Sequence, residues 1–159
     1  MRKAKFLLVL LLIVIMTVGL VSGCGGGGQE QSADTESTEQ AETPEEIVIG
    51  LFLPMTGQNA AGGQMSMEGI NLAHEQKSEV LGRPIKLMLV DDKSDKVEAA
   101  NAVTRLIDKE KAVGIIGSYA SYLAIPGSEV ANKAGIPMVA NTATNPLVTQ
   151  NKEFVFRSC

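Results

Sequence analysis

From Ile47 onward, short apolar runs alternate with longer stretches whose apolar residues recur at helical spacing, and this alternation restricts the fold more than any other feature of the chain. Ile47, Val48, Ile49, Gly50, Leu51, Phe52 and Leu53 are apolar throughout, as a strand covered on both faces requires. Pro54 and Gly57 end it. After a loop at 55–63, Met67, Ile70, Leu72 and Ala73 predict a helix with Gln64, Glu68, Asn71 and Glu75 on its other sides. Gly82 and Pro84 break the chain again. Ile85, Leu87, Leu89 and Val90 make a second strand that runs into Asp91 and Asp92. Asp95 stands three residues before Glu98, a capping-box spacing, and Val97, Ala100, Val103, Leu106 and Ile107 follow at helical intervals. Residues 112–116 read as a third strand ended by Gly117. A helix follows within 121–134, with Pro126 tolerable only in its opening turn and Gly135 suited to the position past its end. Residues 137–140 make a fourth strand, and 154–157 can begin a fifth.

Strand, helix, strand, helix with such short connections predicts the α/β class: a parallel, doubly wound sheet built from right-handed crossovers. Such a sheet binds ligands at the carboxyl ends of its strands, here the segments 54–63, 91–94, 117–122 and 141–146. Composition agrees with a globular domain, at 45% apolar and 20% charged residues.

The first 46 residues are of another kind. Arg2, Lys3 and Lys5 open the chain, and residues 6–21 are almost unbroken Leu, Val and Ile, the order of a secretory signal. Val21, Ser22, Gly23 and Cys24 then resemble the lipobox cut by the bacterial lipoprotein signal peptidase. The small residues let the chain enter a protease groove extended, and the thiol takes the diacylglycerol. Residues 1–23 are therefore expected to be a signal peptide and Cys24 the acylated residue of a lipid-anchored, extracytoplasmic protein. Several acyl chains at about 0.8 kcal/mol per methylene would hold it at a membrane surface. Residues 24–46 carry seven acids and no base, with hardly an apolar side chain, and are expected to form an extended tether. Residues 47–159 balance 11 bases against 11 acids, so no basic face for nucleic acid is implied.

The loop Gly117, Ser118, Tyr119, Ala120, Ser121, Tyr122 leads into a helix start, whose amides lack intrahelical partners and favour an anion. Asn141, Thr142, Ala143, Thr144 and Asn145 add hydroxyls and amides on the same rim. These residues suit a carboxylate with a polar neighbour, while capping of turns and helices is the commoner role of Ser and Thr. Enzyme signals are missing. Gly57, Gly62 and Gly63 lack the GxGxxG order, no GxxxxGK[ST] or GxSxG occurs, and Asp91 alone is a weak nucleotide signal. His74 has no evident catalytic partner and is expected on the polar side of its helix, in solvent. Asp91, Asp92 and Asp95 are expected to be a helix cap and a solvated acidic rim in preference to a metal site. No cofactor is expected.

The stretches IGLFLPMTG, EGINLA, LVDDKSD, VGIIGSYAS, AGIPMVANTATNP and FVFR, in that order, resemble the N-terminal lobe of branched-chain amino-acid binding proteins of ABC importers, periplasmic binding proteins of type I. That resemblance implies two hinged α/β lobes closing on a small amino acid and presenting it to permease subunits in the membrane, without catalysis. Carried onto matching positions, Ser121 gives its hydroxyl and amide to the ligand carboxylate and Thr144 does the same, its hydroxyl also near the ammonium. The Thr142 carbonyl accepts from the ammonium, and Tyr119 and Ala120 line the side-chain pocket. Many relatives place an aromatic residue in the loop after the first strand, where this chain has Gln58, Asn59, Ala60, Ala61, Gly62 and Gly63. Tyr122 and Thr142 also stand where small residues are common. The resemblance thus leaves aliphatic amino acids, amides, urea and aromatic acids open as ligands.

Two lobes of ordinary domain size need roughly 300 residues, so 47–159 reads as part of one lobe, an N-terminal fragment. Strong binding by this stretch alone is not expected, because the groups of the second lobe, commonly an acid for the ammonium, lie outside it. Two other readings stand beside the importer receptor: the sensing domain of a signalling receptor with the same fold, and a nucleotide-dependent Rossmann enzyme.

Overall fold

The computed structural model describes residues 45–159. The expected signal peptide, Cys24 and the tether up to residue 44 lie outside the described residues. Six strands and three helices follow in the order β1 (Ile47–Leu53), α1 (Ala60–Gln76), β2 (Glu79–Val80), β3 (Arg83–Asp91), α2 (Lys96–Asp108), β4 (Gly114–Gly117), α3 (Ser121–Ala134), β5 (Met138–Ala140) and β6 (Val155–Arg157), with a 3-10 turn at Pro146–Val148. The sheet order is β2-β3-β1-β4-β5-β6, parallel except for the short β2–β3 pair. This is the predicted doubly wound α/β sheet. Successive strands are added on one side of β1 up to β3 and on its other side from β4 onward, so the winding reverses between the parallel neighbours β1 and β4, the place where such a fold opens a crevice.

Side-chain alternation assigns the two faces. Gly50 and Phe52 point to α2 and α3: a Cβ on Gly50 would lie 3.1 Å from Leu106, and one on Gly127 would lie 2.6 Å from the Phe52 ring. Glycine at 127 thus lets α3 sit close over the sheet. Phe52, Val103, Leu106, Ile115, Leu123 and Met138 form the buried centre of this face. Truncating a fully buried leucine such as Leu106 would cost about 2–5 kcal/mol. Ile49, Leu87 and Ile116 point the other way and line a shallow hollow against α1 with Ile70 and His74.

The helices correct the sequence reading in four places. α1 begins at Ala60 and takes in Gly62 and Gly63, both buried. Its inward face continues from them through Ser66, Met67, Ile70 and His74, while Leu72 is 57% exposed. His74 is accordingly half-buried, its Nε2 3.0 Å from the Ile85 carbonyl, because it sits four residues after Ile70 on the sheet side. In α2 the buried residues are Ala99, Ala102, Val103 and Leu106, and Val97 is 66% exposed. Asp95 does cap α2, accepting from the amides of Val97 and Glu98. Pro126 lies in the second turn of α3, beyond the opening turn, where it leaves the Tyr122 carbonyl without its usual donor. Gly135 ends α3 in the left-handed region at φ 69°. The two-residue strand β2, which returns antiparallel onto β3, has too short a pattern to be read from sequence.

Candidate ligand-binding site

Register brings the strand ends level. Leu53 of β1 pairs with Asp91 of β3, and Phe52 pairs with Gly117 of β4. The loops after β1, β3, β4 and β5 therefore leave one edge of the sheet and form a rim in two halves.

The half formed by the loops after β1 and β3 is held by acids and one tyrosine. Asp91 Oδ1 accepts from the amides of Met55 at 2.8 Å, Thr56 at 3.2 Å and Lys93 at 2.8 Å, and Oδ2 accepts from Thr56 Oγ1 at 2.7 Å. Partial burial pushes this carboxyl up, but those hydroxyl and amide donors outweigh it and hold it below the ordinary value of 3.8. Asp92 is 0% exposed. Its Oδ2 accepts from Ser118 Oγ at 2.6 Å and its Oδ1 from the Ser94 amide at 3.0 Å. Burial, helped by repulsion from Asp91, raises its pKa despite these two donors. The expected solvated acidic rim is thus corrected: carboxylates that close loops over a sheet edge are drawn inward by amides and hydroxyls that need acceptors. Among the described residues no group of three or more His, Cys, Asp or Glu is placed to hold a metal ion.

Tyr122 joins this half from α3. Its hydroxyl accepts from Gln58 Nε2 at 2.8 Å and Asn59 Nδ2 at 2.6 Å, and donates to the Ser94 carbonyl at 3.1 Å. The tyrosine that departs from the family pattern is therefore turned into the protein. Neither its role nor that of Gln58 and Asn59 was visible from spacing, because they lie more than 60 residues apart in the chain.

The half formed by the loops after β4 and β5 is more open. Gly117 turns at φ 137°, and a Cβ there would lie 2.1 Å from the Phe52 carbonyl oxygen. The chain then passes through Ser118, Tyr119 and Ala120 into α3. Ala120 is its N-cap residue and offers no side-chain cap, while its carbonyl accepts from Leu123 and Ala124. The amides of Ser121 and Tyr122 have no acceptor among the described residues and carry the positive end of the helix dipole. Ser121 Oγ accepts from the Asn145 amide at 3.2 Å, which leaves its hydroxyl proton to give. Thr144 is exposed, its carbonyl accepts from the Arg157 guanidinium, and its hydroxyl makes no hydrogen bond among the described residues.

The remaining sequence-predicted residues are also on this half. Thr142 Oγ1 donates to the Tyr119 carbonyl at 2.7 Å, tying the β5 loop to the β4 loop, and the Thr142 carbonyl has no donor among the described residues. Ala120 is half-buried against the core. The Tyr119 ring lies over the first turn of α1 at Gly62. Asn141 Nδ2 donates to Ser66 Oγ at 2.9 Å, and its buried Oδ1 has no partner among the described residues. Ser121, Thr142, Thr144, Tyr119 and Ala120 are thus brought to one side of the rim, and Gly62, a helix residue at a position where the sequence predicts a loop, joins them.

The arrangement has many single donors and acceptors and a helix start suited to an anion. Residues 46–158 match the family model described as periplasmic binding protein. An amino acid binding protein of Pseudomonas aeruginosa is 36% identical over 118 residues, covering 72% of this chain and 32% of that protein. A Leu/Ile/Val-binding protein of Rhizobium johnstonii is 32% identical over the same shares. Among solved structures, a leucine binding protein of Thermotoga maritima superposes with a TM-score of 0.70 at 49% identity, over 71% of this chain and 32% of that one. A branched-chain amino acid transporter substrate binding protein of Streptococcus pneumoniae, in complex with isoleucine, gives 0.67 at 28%, over 71% and 33%. The chain spans about a third of the length of these relatives. With its sheet order, its rim and this match over most of its length, the chain belongs to the periplasmic binding protein family, whose members are solute-binding receptors.

Proposed function

We propose that this chain supplies the ligand-gripping lobe of an extracytoplasmic receptor for a small amino acid, which passes its solute to the permease subunits of an ABC importer. The observation that carries this reading is the uncapped start of α3, where the Ser121 and Tyr122 amides, the Ser121 hydroxyl proton and the exposed Thr144 hydroxyl stand free on one side of the rim. A carboxylate offers the charge and acceptors that match them, and the free Thr142 carbonyl suits an ammonium group. The side chain is expected to be apolar: both polar departures from the family pattern, Tyr122 and the Thr142 hydroxyl, bond within the protein and add no polarity to the ligand pocket. The names of its relatives, amino acid and Leu/Ile/Val-binding proteins, agree.

In this reading the solute is held and released unchanged, without a cofactor. Cys24 carries the lipid that keeps the receptor at the membrane, residues 1–23 being removed. Titrating leucine, isoleucine and valine into the isotope-labelled chain is expected to move the amide resonances of Ser121, Tyr122 and Thr144. Unmoved resonances at high ligand concentration would reject the receptor reading. Mass spectrometry of the mature protein finding a free Cys24 thiol or an intact Met1 would reject the lipid anchor alone.

A further inference from the structure

Arg157, the last residue of β6, pairs with Ala140 of β5 at the carboxyl edge of the sheet and is half-buried there. Its Nη1 donates to the Thr144 carbonyl, while its Nε is buried and has no hydrogen-bond partner among the described residues. Arg83 and Arg105 each pair with a glutamate, whereas Arg157 forms no ion pair among the described residues. Its guanidinium is a fixed positive charge, partly withdrawn from water and without a counter-charge. The acceptor it meets belongs to a peptide group that makes a second bond. The Thr144 carbonyl and the Asn145 amide are the two ends of one rigid peptide unit, and that amide donates to Ser121 Oγ at 3.2 Å. Arg157 is therefore joined to Ser121 of a distant segment through a single dipole. A cation at the oxygen end strengthens donation at the amide end, and the hydroxyl that accepts from it becomes the better donor in turn.

We propose that Arg157 makes this rim select an anionic ligand end. Through the 144–145 peptide it holds and polarises Ser121 and Thr144, and its unpaired charge favours a carboxylate over a neutral group of the same shape. It touches no ligand in this assignment; it is a positioning and charge-supplying residue behind the groups that do. The inference rests on the receptor reading above and adds to it the source of charge selectivity. The start of α3 contributes only the partial charge of a helix dipole, about half an elementary charge, whereas the guanidinium contributes a whole one.

The test is the ratio of affinities of the full chain for leucine and leucinamide, measured by ligand titration with NMR detection. The two share an amine and a side chain and differ in the charge of the carboxyl end. Arg157→Gln keeps an amide donor for the Thr144 carbonyl but loses the charge, and the preference for leucine is expected to fall about tenfold. Arg157→Lys keeps the charge and is expected to retain most of the preference. A merely structural Arg157 would lower both affinities together and leave the ratio unchanged. That result, or equal losses of preference in the Gln and Lys variants, would overturn the proposal while leaving the receptor reading in place. In the wild-type protein leucine is expected to shift the Arg157 Nε resonance more than leucinamide does. Equal shifts would overturn the proposal even where neither variant folds. Wild-type protein that binds neither ligand would overturn both readings.

Discussion

The two halves of the rim start from the same sheet edge and are comparably rich in polar groups, yet they use them in opposite ways. In the loops after β1 and β3, Asp91, Asp92, Thr56, Ser94 and the Tyr122 hydroxyl satisfy one another across chain separations of up to 64 residues. In the loops after β4 and β5, the start of α3 has no side-chain cap and Thr144 faces solvent. Polarity alone does not make a binding site. What makes one is polarity held in place and left unmatched, and the first half supplies the rigidity that the second half needs, since Ser118, bonded to buried Asp92, opens the segment that leads to Ser121.

The comparison can be broken at either half. The largest effect is expected for Asp92→Ala, which leaves the Ser118 hydroxyl and the Ser94 amide without their acceptor at a fully buried position. A loss of about 3 kcal/mol in urea-unfolding stability is expected. On the open half, Ser121→Ala and Thr144→Ala are each expected to weaken leucine binding about tenfold, about 1.4 kcal/mol, in the same titration. For exposed Thr144 the unfolding midpoint should hardly move. A large stability loss there, with unchanged binding, would reverse the assignment of the two halves. Tyr122→Phe removes the hydroxyl that joins Gln58, Asn59 and Ser94 and is expected to cost about 1 kcal/mol of stability, since water can reach the freed amides.

The smallest effect is in pH dependence, and it has a definite sign. Burial raises the Asp92 pKa above the ordinary 3.8, so the folded protein holds this proton more tightly than the unfolded chain, and ionisation of Asp92 opposes folding as pH rises through its raised value. Asp92→Asn lacks that charge. Its stability relative to wild type is therefore expected to be greater at neutral pH than at pH values below 3.8, where Asp92 is protonated in both states. Asp91 has the opposite sign: its donors favour the anion, and the stability it contributes is lost as pH falls below 3.8 through its lowered value. Comparing urea midpoints of both Asp92→Asn and wild type across that range separates the two acids.

Much of the architecture was legible because it is local. The apolar run at Ile47–Leu53, the Asp95 cap and the glycine at 135 each act within a few residues, and each stands where the pattern put it. α1 was misread at its start because Gly62 and Gly63 look like loop residues when only propensity is considered. Both are glycines for want of space: a Cβ at 63 would lie 2.1 Å from the Pro54 carbonyl oxygen, as one at 62 would meet Tyr119. His74 and Leu72 exchanged their expected surroundings for the same cause, since moving the helix start reassigns its inward face.

The sequence by itself determined the alternation of strands and helices, hence a parallel sheet with its loops gathered at the carboxyl ends, because periodicity and turn chemistry are properties of neighbouring residues. It also brought Ser121, Thr142 and Thr144 into consideration as rim residues. Only the tertiary structure decided which polar groups stay free. Tyr122 and Asp92 find their partners through contacts between distant loops, the Tyr119 ring finds its seat on a helix more than 50 residues away, and no local pattern encodes which hydroxyl a folded chain leaves unpaired.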